Sequence, residues 1–361
     1  MSWLTDLVAK KSTFPNLSHT ETSDKNQLYI SVDSVRVCFL IVDENVEPNK
    51  IVERQEIFLG PTEDLHPGQP VRDMFGSLLK VFSSHKEKFE NIKNVSVSIP
   101  AEGVFFKNVE VPSINPENVQ KLIVAEIKKT LPVDFSQILF AQNDLGEKHQ
   151  NSKNFFCVGI QKNTFENFKN LFAKFNLDPY FEIEVFSLAR IVEADDEPRL
   201  VLSVGRLNTF LIFLQGQIIQ DVKLLDFGHN EINQNIIKNL DLNFEQTEIL
   251  KESLDKLKES NRLGSKILDE FVKEFNQKLA KAVTLHILEY EKNQDVEIKE
   301  VLILGSELLL KTKKIFQDEF DAELKVNFVS EENFKEFVAE NFTLNELKRY
   351  TQCFGLALRN K

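Results

Sequence analysis

From Leu28 onward the apolar residues fall into short runs bounded by charged and turn residues: LYISV at 28–32, VRVCFLIV at 35–42 and KIVERQEIFLG at 50–60. Runs of that kind predict strands. A helical spacing follows over VRDMFGSLLKVFSSHKEKF (71–89), then a further strand, NVSVSIP, ends at Pro100. The next block reads strand, helix, strand, strand, helix: FFKNVEVP (105–112), NPENVQKLIVAEIKKTL (115–131), QILFAQNDL (137–145), NFFCVGIQ (154–161) and NTFENFKNLFAKFNL (163–177). Its first helix is expected to take Asn115 as N-cap and Pro116 in its first position. In its last helix Phe165, Phe168, Leu171, Phe172 and Phe175 recur at helical spacing and are expected to be core.

Beyond FEIEVFSLARIV (181–192) and the acidic link EADDEPR, a second burst of strands begins with LVLSV (200–204), TFLIFLQ (209–215) and QIIQDVKLL (217–225). The same order of adjacent strands in both halves points to an internal duplication. Helices are expected over about 229–240, 244–260 and 264–291; in the last, Ile267, Phe271, Phe275, Leu279 and Val283 mark one buried stripe. A strand, KEVLILG, closed by Gly305, a helix, SELLLKTKKIFQDEF, a strand, ELKVNFV, and a helix after Thr343 complete the chain. The opening MSWLTDLVAKK puts Trp3, Leu4, Leu7 and Val8 on one helical face, which suits a short docking or interfacial helix. One or two turns are marginal alone, so residues 1–27 also read as a disordered tail.

Composition narrows the chemistry. With 44 basic and 56 acidic side chains in 361 residues the net charge is −12, and Lys and Arg are interleaved with Asp and Glu. A nucleic-acid surface, which needs a basic face, is excluded on that ground. Cys38, Cys157 and Cys353 lie far apart, with no paired spacing for zinc or redox work, and suit a reduced cytoplasm. The six histidines show no ligand spacing, so no metal site is expected. No apolar run is long enough to span a membrane and no signal core opens the chain. Glycine supplies 12 of 361 residues, about 3% against about 7% in ordinary proteins, a shortage that weighs against phosphate-cradling loops.

The stretch from Ser98 to Leu145 combines a strand ending in Ile-Pro, an aromatic pair, a VEVP turn, a helix and PVDF. In that combination it resembles the PilM family, the cytoplasmic actin-like components of type IV pilus assembly, with the cell-division protein FtsA as cousin. LVLSVGRLNTFLIFLQGQIIQDVKLLDFGHNEINQNIIKNLDLNFEQTEILKES is similar to the family's second phosphate hairpin and the helix pair after it, and VLILGSELLLKTKKIF and QCFGLALRN to its last motif strand and C-terminal segment. The likeness spans about residues 28–360. It implies an α/β, two-domain actin-like fold made of duplicated ribonuclease-H-like halves. The first half would cover 28–99 and continue at 181–198, the inserted βαββα subdomain 100–180, and the second half 199–361, with a helical part at about 229–298.

The resemblance also implies a nucleotide cleft, and there the chain departs from the family. Against the family's first hairpin, approximately Asp-Ile-Gly-Ser-Ser-Ser-Ile-Lys, YISVDSVR sets Tyr29 at the Asp, Ser31 at the Gly and Arg36 at the Lys. The second hairpin's Asp-x-Gly becomes Ser203-Val204-Gly205, and the Gly-Gly-Gly after the last motif strand becomes Gly305-Ser306-Glu307. Gly205, Gly228 and Gly305 are what remains of the phosphate and nucleoside glycines. Both acidic positions for Mg²⁺ are then lost, and a hard cation needs charged oxygen ligands. Without that electrostatic stabilisation phosphoryl transfer is not expected, no catalytic residue is assigned, and no cofactor is expected beyond ATP held without strong Mg²⁺ dependence.

The function implied is a non-enzymatic scaffold, a pseudo-ATPase, at the inner face of the cytoplasmic membrane. It would bind the cytoplasmic tail of an inner-membrane PilN-like protein, link it to the assembly ATPase, and have the option of self-association. By the resemblance the tail lies between the inserted subdomain and the main body, with Phe105, Phe106, Val109, Val111 and Ile123 as groove candidates. Each also reads as ordinary core, since only one face of a strand can line a groove. Two alternatives stay open: an active or nucleotide-binding actin-like ATPase using Asp33 or Asp226, and an FtsA-like polymer.

Overall fold

The computed structural model describes residues 26–33, 36–45, 49–59, 74–89, 92–113, 116–131, 133–149, 151–192, 196–242, 246–247, 262–304, 324–338 and 344–360. The expected helix around Trp3, Leu4, Leu7 and Val8, nearly all of the one over 244–260 and the one over 306–320 lie outside the described residues, as does Asn115.

Two sheets repeat one design. The apolar runs of the first half become β1 (Asn26–Val32), β2 (Arg36–Asp43) and β3 (Asn49–Phe58), an antiparallel meander. After helices α1 (Met74–Ser84) and α2 (Lys86–Phe89), β4 (Asn94–Ile99) joins the free side of β1 in parallel. Then comes the inserted block of β5 (Val104–Pro112), α3 (Pro116–Lys128), β6 (Ile138–His149) and β7 (Ser152–Gln161), a separate sheet in the order β5-β7-β6. Helix α4 (Lys162–Ala173) leads back to β8 (Tyr180–Ile183), which pairs with β4, and α5 (Glu184–Arg190) follows.

The second half repeats the meander as β9 (Pro198–Val204), β10 (Thr209–Gln215) and β11 (Ile218–Leu225). Helices α6 (Asn230–Leu240) and α7 (Arg262–Gln294) come next, then β12 (Glu300–Leu304), parallel to β9, and β13 (Lys325–Phe328), parallel to β12. β14 (Phe337–Val338), α8 (Leu344–Arg349) and α9 (Thr351–Ala357) end the chain. Duplication is visible residue by residue. β1–β2 registers Ser31 with Cys38, and β9–β10 registers Ser203 with Phe210, a constant offset of 172 residues. The register shift at Ile41/Val42 against β3 recurs at the same offset at Phe213/Leu214 against β11.

Burial follows the alternation of strand side chains. One face of the second sheet, with Leu200, Leu202, Leu211 and Phe213, packs under α6 and α7 through Ile232, Ile236, Phe275, Leu279 and Val283. The opposite face, with Val201, Phe210, Ile212 and Leu302, joins a larger core that takes in the first sheet, α5 and α9. Helix α5 touches β4 and β8 of one sheet and β9 and β10 of the other, so it ties the halves together. A third, small core lies between α3 and the inserted sheet.

Two segments sit elsewhere than the linear reading placed them. The helix assigned to the end of the inserted block, α4, packs on the first half: Phe168 meets Phe75 at 4.9 Å, and Phe172 meets Phe82 at 4.9 Å and Phe181 at 5.6 Å. Its phenylalanines are core as expected, but of that half. The C-terminal segment, assigned to the second half, returns to the first: β14 extends the first sheet beside β3, and α9 packs on β1 and β4. Contact across some 300 residues is driven by apolar faces seeking cover, and local periodicity carries no trace of it.

Candidate functional site

The turns joining β1 to β2 and β9 to β10 are built alike. Asp33 N donates to Arg36 O at 3.0 Å and Gly205 N to Asn208 O at 2.9 Å, again 172 residues apart. Ser31-Val32-Asp33 is therefore the counterpart of Ser203-Val204-Gly205. This corrects the first-hairpin alignment by two residues: Ser31, not Tyr29, takes the acidic position, Asp33 takes the glycine's and Cys38 the lysine's. The turn's own hydrogen bond sets strand register, and a two-residue slip keeps every side chain on its face, so hydrophobic pattern could not detect the error. The one sequence signal was the repeated Ser-Val dipeptide closing LYISV and LVLSV. Tyr29 is instead a core residue, 1% exposed, its hydroxyl donating to Glu44 Oε1.

The groups at the first turn are committed to one another. Asp33 accepts from Arg36 N at 2.8 Å and from Arg36 Nε at 2.7 Å, while Arg36 Nη1 donates to Glu56 Oε1 at 2.8 Å. Arg36, expected as the phosphate-facing cation, is thus neutralised by two carboxylates. Ser31 is buried against Cys353 of α9, whose thiol burial pushes up to about 12 despite hydrogen bonds with Ser31. Cys353 Sγ in turn donates to Cys38 O at 3.6 Å. All three cysteines are free and buried, and burial pushes the Cys38 and Cys157 thiols up as well, so none is a ready nucleophile.

At the second turn the surviving glycines serve packing. His229 N donates to Gly205 O at 3.0 Å and Asn230 N to Arg206 O at 2.8 Å, so the hairpin's carbonyls satisfy N–H groups at the start of α6. A methyl on Gly228 would sit 2.5 Å from both Gly205 O and Arg206 O, and one on Gly205 would sit 2.7 Å from Asn208 O. Asp226, weighed as a substitute acid, is exposed beyond the end of β11. Gly305, Ser306 and Glu307 lie outside the described residues.

A set of residues that linear reading missed links the halves. Asn208 Nδ2 donates to Glu102 Oε1 at 3.1 Å, from the second hairpin to the turn after β4. Beside it Glu184, 5% exposed, accepts from Ala101 N at 2.7 Å and from Gln352 Nε2 at 2.8 Å, joining that turn to α5 and α9. Burial pushes the Glu184 carboxyl well above its ordinary 4.5, and Glu102 and Asp33 push it further. An acid bound more tightly to its proton in the fold contributes less stability as pH rises from the ordinary value through the raised one. Glu184→Gln is therefore expected to gain on the parent as pH is raised from 5 to 8. Thermal midpoints of both proteins across that range check it; parallel curves would remove the buried-acid assignment.

These residues do not fit a magnesium-bound triphosphate. Both symmetry-related acid positions carry serine, Asp33 is held by Arg36, and Glu102 is engaged by Asn208 across the halves. Among the described residues no group of three His, Cys, Asp or Glu side chains could hold a metal ion.

The groove candidates divide by strand face. Val109, Val111 and Ile123 are buried in the inserted subdomain's own core under α3, with Val119, Ile127, Phe155 and Cys157, and so offer no groove surface. Phe105 covers Gly159, its β7 neighbour, and stacks on Phe140 at 6.4 Å across that glycine. Phe106 faces the other way, stacking on Phe156 at 6.2 Å and packing on the main core, while Asn108 Nδ2 donates to Gln220 O of β11 at 2.9 Å. Phe105 and Phe106 keep partial exposure.

The family model described as type IV pilus assembly protein PilM matches residues 77–361. Among solved structures, a PilM-PilN type IV pilus biogenesis complex superposes with a TM-score of 0.70 at 16% identity, over 92% of this chain and 98% of that one. The ethanolamine utilization protein EutJ from Carboxydothermus hydrogenoformans superposes with a TM-score of 0.54 at 13% identity, over 92% and 89%. At such identities the likeness is one of fold, and that fold is the actin-like one. No curated protein matches.

Proposed function

For a chain that belongs to the PilM family of type IV pilus assembly proteins, we propose the role of a scaffold that keeps the actin-like fold without its hydrolysis. It stands at the inner face of the cytoplasmic membrane, holds the cytoplasmic tail of an inner-membrane PilN-like protein, and links that protein to the assembly ATPase. The observation that carries the non-hydrolysing part is the pair of equivalent hairpins with serine at both acid positions, Ser31 and Ser203, and the basic Arg36 consumed by Asp33 and Glu56. Phosphoryl transfer is almost wholly positioning and charge stabilisation, and serine at both hairpin positions, with Arg36 held by two carboxylates, removes charge that such a transfer would draw on there. Support for the tail-binding part comes from family membership and from a fold match that extends over a PilM in complex with PilN. No helix among the described residues is long and apolar enough to cross a membrane, in keeping with attachment through a partner.

Two measurements test the proposal. A synthetic peptide of the PilN-like protein's cytoplasmic tail, from the same source, is expected to bind saturably in fluorescence anisotropy, and Phe105→Ala or Phe106→Ala to weaken it. Phosphate release from ATP with Mg²⁺ is expected to stay at the protein-free blank. Turnover that disappears in Asp33→Ala or Asp226→Ala would replace the scaffold reading with an enzyme, and absence of any tail binding would remove the partner.

A further inference from the structure

We draw no further inference here: the strongest candidate, the acidic side-chain cluster of Asp33, Glu102 and Glu184 where the two halves meet, has no second observation beside it that points to a ligand, and the raised proton affinity of Glu184 that sets it apart is already spent on the stability prediction for Glu184→Gln.

Discussion

Gly355→Ala is expected to lower stability by about 2–3 kcal/mol, although alanine is the better helix former by about 1 kcal/mol. Gly355 lies in α9 where that helix crosses α5, and a methyl there would overlap the carbonyl oxygen and carbon of Ser187. The obstacle is backbone, so no side chain can rotate away; the two helices must separate. Their separation would disturb the seam in which Ser31 meets Cys353 and Glu184 meets Gln352. Chemical denaturation of parent and variant, with the slope compared as well as the midpoint, measures the effect. A loss below about 1 kcal/mol would mean that the crossing is looser than the structure describes, because helix propensity would then nearly offset the overlap.

Arg190→Met is expected to cost about 3–5 kcal/mol. Arg190 Nη1 donates to Glu182 Oε1 at 2.6 Å and to Gly355 O at 3.1 Å, and Nη2 donates to Glu182 Oε2. The Glu182 side chain is 0% exposed and the Arg190 side chain 26% exposed. Removing the arginine leaves a buried carboxylate without a countercharge, which costs far more than the net worth of the pair. The double variant Glu182→Leu/Arg190→Met removes both charges and should recover more than half of the loss, since a buried pair and an apolar replacement of similar volume are close in energy. Denaturation of the two single variants and the double one gives the coupling directly. Additive losses would show that solvent reaches Glu182.

Both predictions concern a seam that linear reading did not show. The strands at 28–42 and 200–215 were legible because alternation and apolar runs are local properties, and the same holds for the buried stripe of α7. The duplication was legible in outline. Its consequence at the site was not: the hairpin register that puts Ser31 opposite Cys38, and so makes Ser31 the counterpart of Ser203, is set by one backbone bond in each turn. Val109, Val111 and Ile123 were candidates for a groove because strand alternation leaves two faces open, and only the packing of α3 closed one of them.

What the sequence determined by itself was the α/β class, the repeat, the inserted block and the scarcity of glycine and acid at the hairpins, because each is a matter of residue type and short-range spacing. Tertiary structure alone decided that Arg36 is consumed by Asp33 and Glu56, that Glu102 reaches Asn208 across the halves, and that the C-terminal helix lies against β1. Those pairings join residues from 3 to more than 300 positions apart, and what selects them is the burial of apolar faces and the satisfaction of the polar groups carried in with them.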